Sequence, residues 1–123
     1  MASALAYLGA SITALWGVAH AIPTTSVLRS FEPISDDNRR VVLQEWVAEA
    51  VTMWGIAALV VAVTVVGSGS DSAHAAYGVA AALLVALAIV TALTGARTPV
   101  IWFKICPVLQ CISAGLLVAA IVV

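Results

Sequence analysis

The chain has 123 residues, of which 63% are hydrophobic and 9% charged, against roughly 45–50% apolar and about 25% charged in a typical soluble domain. Mean hydropathy is +1.14, and five Lys/Arg against six Asp/Glu leave a net charge of −1. Such a chain has too little polar surface to coat a soluble core, too much apolar mass to stay disordered, and no basic face for nucleic acid. A lipid bilayer is its natural solvent.

Four continuous apolar segments follow in chain order, each long enough for a crossing at about 1.5 Å rise per residue. Their predicted bounds are about 5–22, 36–66, 73–95 and 99–123. None shows the period-2 alternation of a membrane β-barrel strand. The expected fold class is therefore all-α: an integral membrane four-helix bundle, one transmembrane domain over 1–123.

The first helix stops at Pro23, which lacks a backbone donor and restricts the residue before it. Residues 24–40 form the longest polar stretch. Ser35 suits an N-cap, with Asp36 and Asp37 at the positive end of the second helix. Thirty-odd residues of helix would measure about 48 Å, so its first turns should stand clear of a roughly 30 Å hydrocarbon core. The stretch Gly67-Ser68-Gly69-Ser70 ends it. Thr98-Pro99 reads as a cap followed by proline at the first helical position, and Pro107 lies inside the fourth helix, freeing the carbonyl of Phe103.

All five basic residues fall in or beside the first and third loops: Arg29, Arg39, Arg40, Arg97 and Lys104. The positive-inside rule puts loops 1 and 3 in the cytoplasm and both termini on the non-cytoplasmic side of the inner (plasma) membrane. Met1–Ala6 has no basic residue, so a retained first helix is expected rather than a cleaved signal.

Ionisable groups inside a span are costly and point to function. Glu45 and Glu49 lie four residues apart and share a face of the second helix. His20 sits near the end of the first helix, and Arg97 and Lys104 at the matching ends of the third and fourth. All cluster toward one face of the membrane. Glu49, Glu45 and His20 are the candidate catalytic groups, because sheltered carboxylates and imidazole exchange protons near neutral pH. Against that stand plain roles: an interface residue for Glu45, pairing with Arg97 for Glu49, an interfacial hydrogen bond for His20.

Trp16, Trp46, Trp54 and Trp102 are the candidate substrate-binding aromatics, with Arg97 available for a carboxylate or an anionic head. An aromatic belt at the headgroups explains Trp102 equally well. Gly17 would let a neighbouring helix approach closely. Cys106 and Cys111 are turned about 140° apart on a helix; they form no metal pair and are expected as core residues. No metal-ligand spacing and no phosphate loop is present, and neither a metal nor a cofactor is expected.

The segments Trp16-Gly17-Val18-Ala19-His20 and Glu45-Trp46-Val47-Ala48-Glu49 resemble small four-helix bacterial membrane proteins of the DoxX-like kind. A looser similarity links the chain to the EXPERA group, which includes the emopamil-binding sterol isomerases. That resemblance implies a membrane cavity in which His20, Glu45, Glu49 and Trp46 or Trp54 move protons on a lipophilic substrate. The small multidrug resistance transporters share length and span number, but their essential glutamate is in the first helix, where this chain has none.

Three functions are thus expected in order. The first is a cofactor-independent acid–base enzyme on a lipophilic small molecule, of isomerase, epoxide hydrolase or cyclase type. The second is a proton-coupled carrier acting as a homodimer or higher oligomer. The third is a non-catalytic assembly subunit in which Gly55, Gly78 and Gly115 make helix contacts.

Overall fold

The computed structural model describes residues 1–123, and the chain is helical almost throughout. The helices are α1 (Ala2–Ala21), α2 (Thr24–Ser30), α3 (Asp36–Gly67), α4 (Asp71–Leu93) and α5 (Ile101–Val122), with one 3-10 turn at Gly95–Arg97. Four of them, α1, α3, α4 and α5, are long and apolar enough to cross a membrane. They form a ring: α1 packs on α3 and α5, and α4 closes the ring between the same two. This is a multi-pass, all-α four-helix bundle suited to a bilayer.

The core is built largely of small side chains. Ala6, Ala10, Ala57, Ala80, Ala81 and Ala114 line it, with Tyr77, Leu84, Leu117 and Val60 filling the remaining space. In lipid, apolar transfer gives helices little reason to associate, so close backbone approach and packing hold them together. The larger aliphatics point the other way. Leu15, Val65, Val79, Ile89 and Val108 are all more than half exposed, which suits a surface solvated by acyl chains.

Gly9 and Gly17 are the span glycines that mediate close contact. A Cβ on Gly9 would meet the Ser113 carbonyl oxygen at 3.2 Å, and one on Gly17 would lie 2.7 Å from Trp54 Nε1. Gly55, Gly78 and Gly115 face open space within the bundle's own structure, so the contacts expected of them do not exist inside this chain. A buried hydrogen bond ties α3 to α4, the Thr64 and Tyr77 hydroxyls being 2.7 Å apart. The end holding the N-terminus and the α3–α4 connection is closed by Ser3 and Ser68, whose hydroxyls are 2.8 Å apart.

Boundaries follow local chemistry, with departures from expectation: α1 begins at Ala2 rather than near residue 5 and α4 ends at Leu93 rather than 95, and three others have a visible cause. Ser35 caps α3 as expected, its Oγ accepting from the Asn38 amide at 3.3 Å. Within the polar stretch 24–40, however, lies α2. Pro23 needs no donor at a helix start; its carbonyl accepts from the Val27 amide at 2.9 Å, and Leu28 is buried. Leu28 is the one buried residue of this short helix, which packs against α3. Helix α4 starts at Asp71, earlier than expected, because the Ser70 hydroxyl caps the Ala73 amide. Helix α5 starts at Ile101 with Val100 as its N-cap, not at Pro99. Thr98 serves the preceding turn instead: its Oγ1 donates to the Gly95 carbonyl at 2.7 Å.

Candidate functional site

The end of the bundle opposite the N-terminus carries the α1–α3 and α4–α5 connections, and with them all five Lys/Arg. The spans open there into a cavity of about 530 Å³. Helix α1 contributes Trp16 and His20, α2 contributes Ser26, Val27 and Ser30, α3 contributes Trp46, and α5 contributes Trp102, Phe103 and Cys106, with Phe31 completing the wall beyond α2. The lining is dominated by aromatic and aliphatic groups, with a few hydroxyls and one imidazole. A cavity of this size and character fits a small lipophilic molecule.

His20 is 8% exposed, and a reciprocal lock with Trp46 holds it. The His20 Nε2 lies 3.2 Å from the Trp46 carbonyl oxygen, and the Trp46 indole N–H donates to the His20 carbonyl at 3.1 Å. A carbonyl oxygen only accepts, so Nε2 carries the proton and, in the neutral ring, Nδ1 keeps the lone pair. The two rings stack with centroids 3.9 Å apart and planes 20° apart. The Phe103 ring meets the Trp46 indole edge-on, with centroids 5.9 Å apart. Phe103 is itself seated over Gly95, where a Cβ would come within 3.3 Å of the ring.

Behind the imidazole stands Glu49. Its Oε2 is 3.7 Å from His20 Nε2, and its side chain is 28% exposed. One turn of α3 separates Trp46 from Glu49, so a single helix face both clamps the ring and sets a carboxylate beside it. His20 and Glu49 are thus brought together from different spans.

The other expected site residues lie elsewhere. Glu45 is exposed and has no basic partner within 4.0 Å. Arg97 is exposed on the 3-10 turn and pairs with neither carboxylate; Lys104 is likewise unpaired. The Arg ion pairs at this end are Arg39 with Glu32, from the first turns of α3 to the loop before it, and Arg40 with Asp37 within those turns. Trp54 is not part of the cavity. It lies in the α1–α3 groove across Gly17 and donates to the Ala14 carbonyl at 3.3 Å. Trp16 and Trp102 do line the cavity, Trp102 as an outer wall that is 62% exposed. Trp16 Nε1 donates to Cys106 Sγ at 3.0 Å. Cys106 is buried as expected, but Cys111 is exposed on the outer face of α5. The offset of about 140° between them turns one inward and the other out.

Sequence reasoning missed Phe103 on α5, and also Phe31 and the α2 hydroxyls, which reach the cavity because α2 follows α1 directly and lies along its wall. It also passed over Gln110, a primary amide in an apolar span, although a polar group at membrane depth is itself a signal. Comparison with protein families, characterised proteins and solved structures returned no match.

Proposed function

We propose that the protein is a membrane-embedded, cofactor-independent acid–base catalyst acting on a lipophilic small molecule, with His20 as the proton carrier and Glu49 as its supporting carboxylate. The observation that carries this reading is the position of His20. It lines the aromatic cavity, and its Nε2 is held by the Trp46 carbonyl with a carboxylate 3.7 Å away.

The chemistry needs two proton movements. Nδ1 takes a proton from an activated C–H of the lipophile, and the ring becomes imidazolium. The Glu49 carboxylate offsets that charge where little water can do so. The imidazolium then returns the proton to a different carbon, and the double bond has shifted. Epoxide opening or cyclisation would start from the imidazolium: Nδ1–H gives its proton to the epoxide oxygen or an alkene carbon, and Nδ1 takes one back from a carbon beside the resulting cation, where the new double bond forms. Trp16, Trp46 and Phe103 keep the site dry and present π faces to developing positive charge. Glu45, Arg97 and Trp54 have no part in this scheme.

The same reading places the basic end of the bundle, with the cavity, at the cytoplasmic face of the inner membrane, because Lys and Arg are retained on that side. The resemblance to the EXPERA group points to the same class of chemistry. A sidedness assay with reporters fused at the α3–α4 connection and within residues 31–35 should find the former outside and the latter inside.

The test is a gradient-free conversion. Purified protein in sealed vesicles, without any ion gradient, is incubated with unsaturated isoprenoids and β,γ-unsaturated ketones. Chromatography with mass spectrometry should find a product of unchanged mass with a shifted double bond, lost in His20→Gln. Uptake that depends on a proton gradient, with no shifted double bond, would instead identify a carrier.

A further inference from the structure

Deeper in the bundle, one turn along α5 from Cys106, three polar atoms lack any partner: Gln110 Nε2, Gln110 Oε1 and Ser113 Oγ. Gln110 is 3% exposed and Ser113 1%. In the middle of a span no water or lipid group compensates such atoms, and leaving them unpaired is costly. A leucine and an alanine would pack there without that cost. The void they share with Thr13, Met53 and Leu84 is too small to admit a water molecule.

Trp16 borders both spaces. It lines the aromatic cavity on one side and this polar void on the other. Its one hydrogen bond to α5 goes to a thiol sulfur, a weak acceptor. Trp16 is thus the side chain that separates the two spaces, and a turn of its indole that joined them would give up only a weak hydrogen bond. The donors waiting there are the Gln110 amide and the Ser113 hydroxyl, and the Gln110 carbonyl accepts. No ionisable group is among the residues lining the void, so a charged ligand would lie there uncompensated.

We propose that Gln110 and Ser113 form a deep polar subsite, which receives an uncharged carbonyl or hydroxyl oxygen at the far end of a lipophile that enters through the aromatic cavity past Trp16. The inference rests on the reading of that cavity as a lipophile site and narrows its ligand class. From His20 to Thr13 is about two turns of α1, or roughly 10 Å. The ligand therefore carries its oxygen about that far from the atom presented to His20.

Methyl nonyl ketone and undecane are the probes, differing in the oxygen alone. Their apparent affinities are read from the concentration dependence of thermal unfolding of the full chain in nanodiscs. Wild type should bind the ketone about tenfold more tightly than the alkane, the worth of a buried hydrogen bond. Gln110→Leu should lower the ketone to the level of the alkane while its own unliganded melting temperature stays equal to wild type or rises. Ser113→Ala should weaken the ketone in the same direction, and His20→Gln should keep the preference.

Equal binding of the two probes by wild type overturns the deep subsite alone. So does a ketone preference that survives Gln110→Leu, whatever that variant does to stability. Loss of the preference in His20→Gln places the contact in the outer cavity and also overturns it. Failure of wild type to bind either probe overturns the cavity reading and the subsite with it.

Discussion

The His20 imidazole lies flat on the Trp46 indole, and each ring reaches past the other to the opposite backbone: His20 Nε2 to the Trp46 carbonyl, Trp46 Nε1 to the His20 carbonyl. This double tie sets two things at once. It pins the end of α1 against α3, and it fixes which imidazole nitrogen carries a proton. The carboxylate of Glu49, one turn further along α3, then stands 3.7 Å from the protonated nitrogen. A ring held this way has its tautomer set by structure before any ligand arrives.

If His20 carries the proton, His20→Gln should lower turnover of an isomerisable lipophile by about 10²–10⁴-fold, the usual share of general acid–base catalysis. Glu49→Gln removes only the charge that supports the imidazolium, and a loss on the order of 10–100-fold is expected. Glu45→Gln should leave turnover within about twofold, since this exposed carboxylate touches neither ring nor cavity. Initial rates in vesicles check all three, with circular dichroism as the control for folding. Equal losses for Glu45→Gln and Glu49→Gln would show that α3 acts only through its net charge.

The glycines divide by what surrounds them. Gly17→Ala drives a methyl to 2.7 Å from Trp54 Nε1 and 3.3 Å from Met53 Cβ. Trp54 must swing out and give up its bond to Ala14, and a cost of about 1–3 kcal/mol is expected. Ala at Gly55, Gly78 or Gly115 meets no atom of the chain and should stabilise each helix by up to about 1 kcal/mol. Thermal unfolding in detergent separates the two groups. Destabilisation at Gly55, Gly78 or Gly115 would reveal a partner seated on those faces.

Tyr77 is fully buried, and its hydroxyl meets that of Thr64, which also donates to the Val60 carbonyl at 2.6 Å. Tyr77→Phe removes one bond and leaves Thr64 satisfied by its own helix. A loss of about 1 kcal/mol is expected. Thr64→Val strands the Tyr77 hydroxyl in the core and should cost more, about 1–3 kcal/mol. The double variant should cost less than the sum of the two, and a double-mutant cycle by chemical denaturation reads the difference. Additive losses would mean that the two hydroxyls do not interact.

Loss of the Ser70 cap is the local counterpart. Ser70→Ala frees the Ala73 amide at the start of α4 and should lower stability by about 1 kcal/mol. Ser70→Asp keeps an acceptor and adds charge at the positive helix end, so it should hold wild-type stability. Amide hydrogen exchange over residues 71–75 should speed up in the first variant and not in the second.

Residues 1–123 carried their spans, their breaks at Pro23 and Gly67–Ser70, and the Ser35 cap in plain view, because hydrophobic length and capping are local properties of a chain. His20 and Glu49 could be named as candidates for the same reason: an ionisable group in an apolar run stands out without any knowledge of its neighbours. Which groups actually meet was settled only by the tertiary structure. Glu45 and Glu49 lie on one helix face about 6 Å apart along the axis, so the register of α1 against α3 chose Glu49 for His20 and left Glu45 outside. Rotation of each helix about its own axis turned Trp54 into a groove, Cys111 outward, and Gln110 into a core that gives its amide no partner. A chain in lipid has apolar surface on every side of its helices, so the pattern of hydrophobic residues marks the spans while the close approaches at Gly9 and Gly17 determine how they are turned.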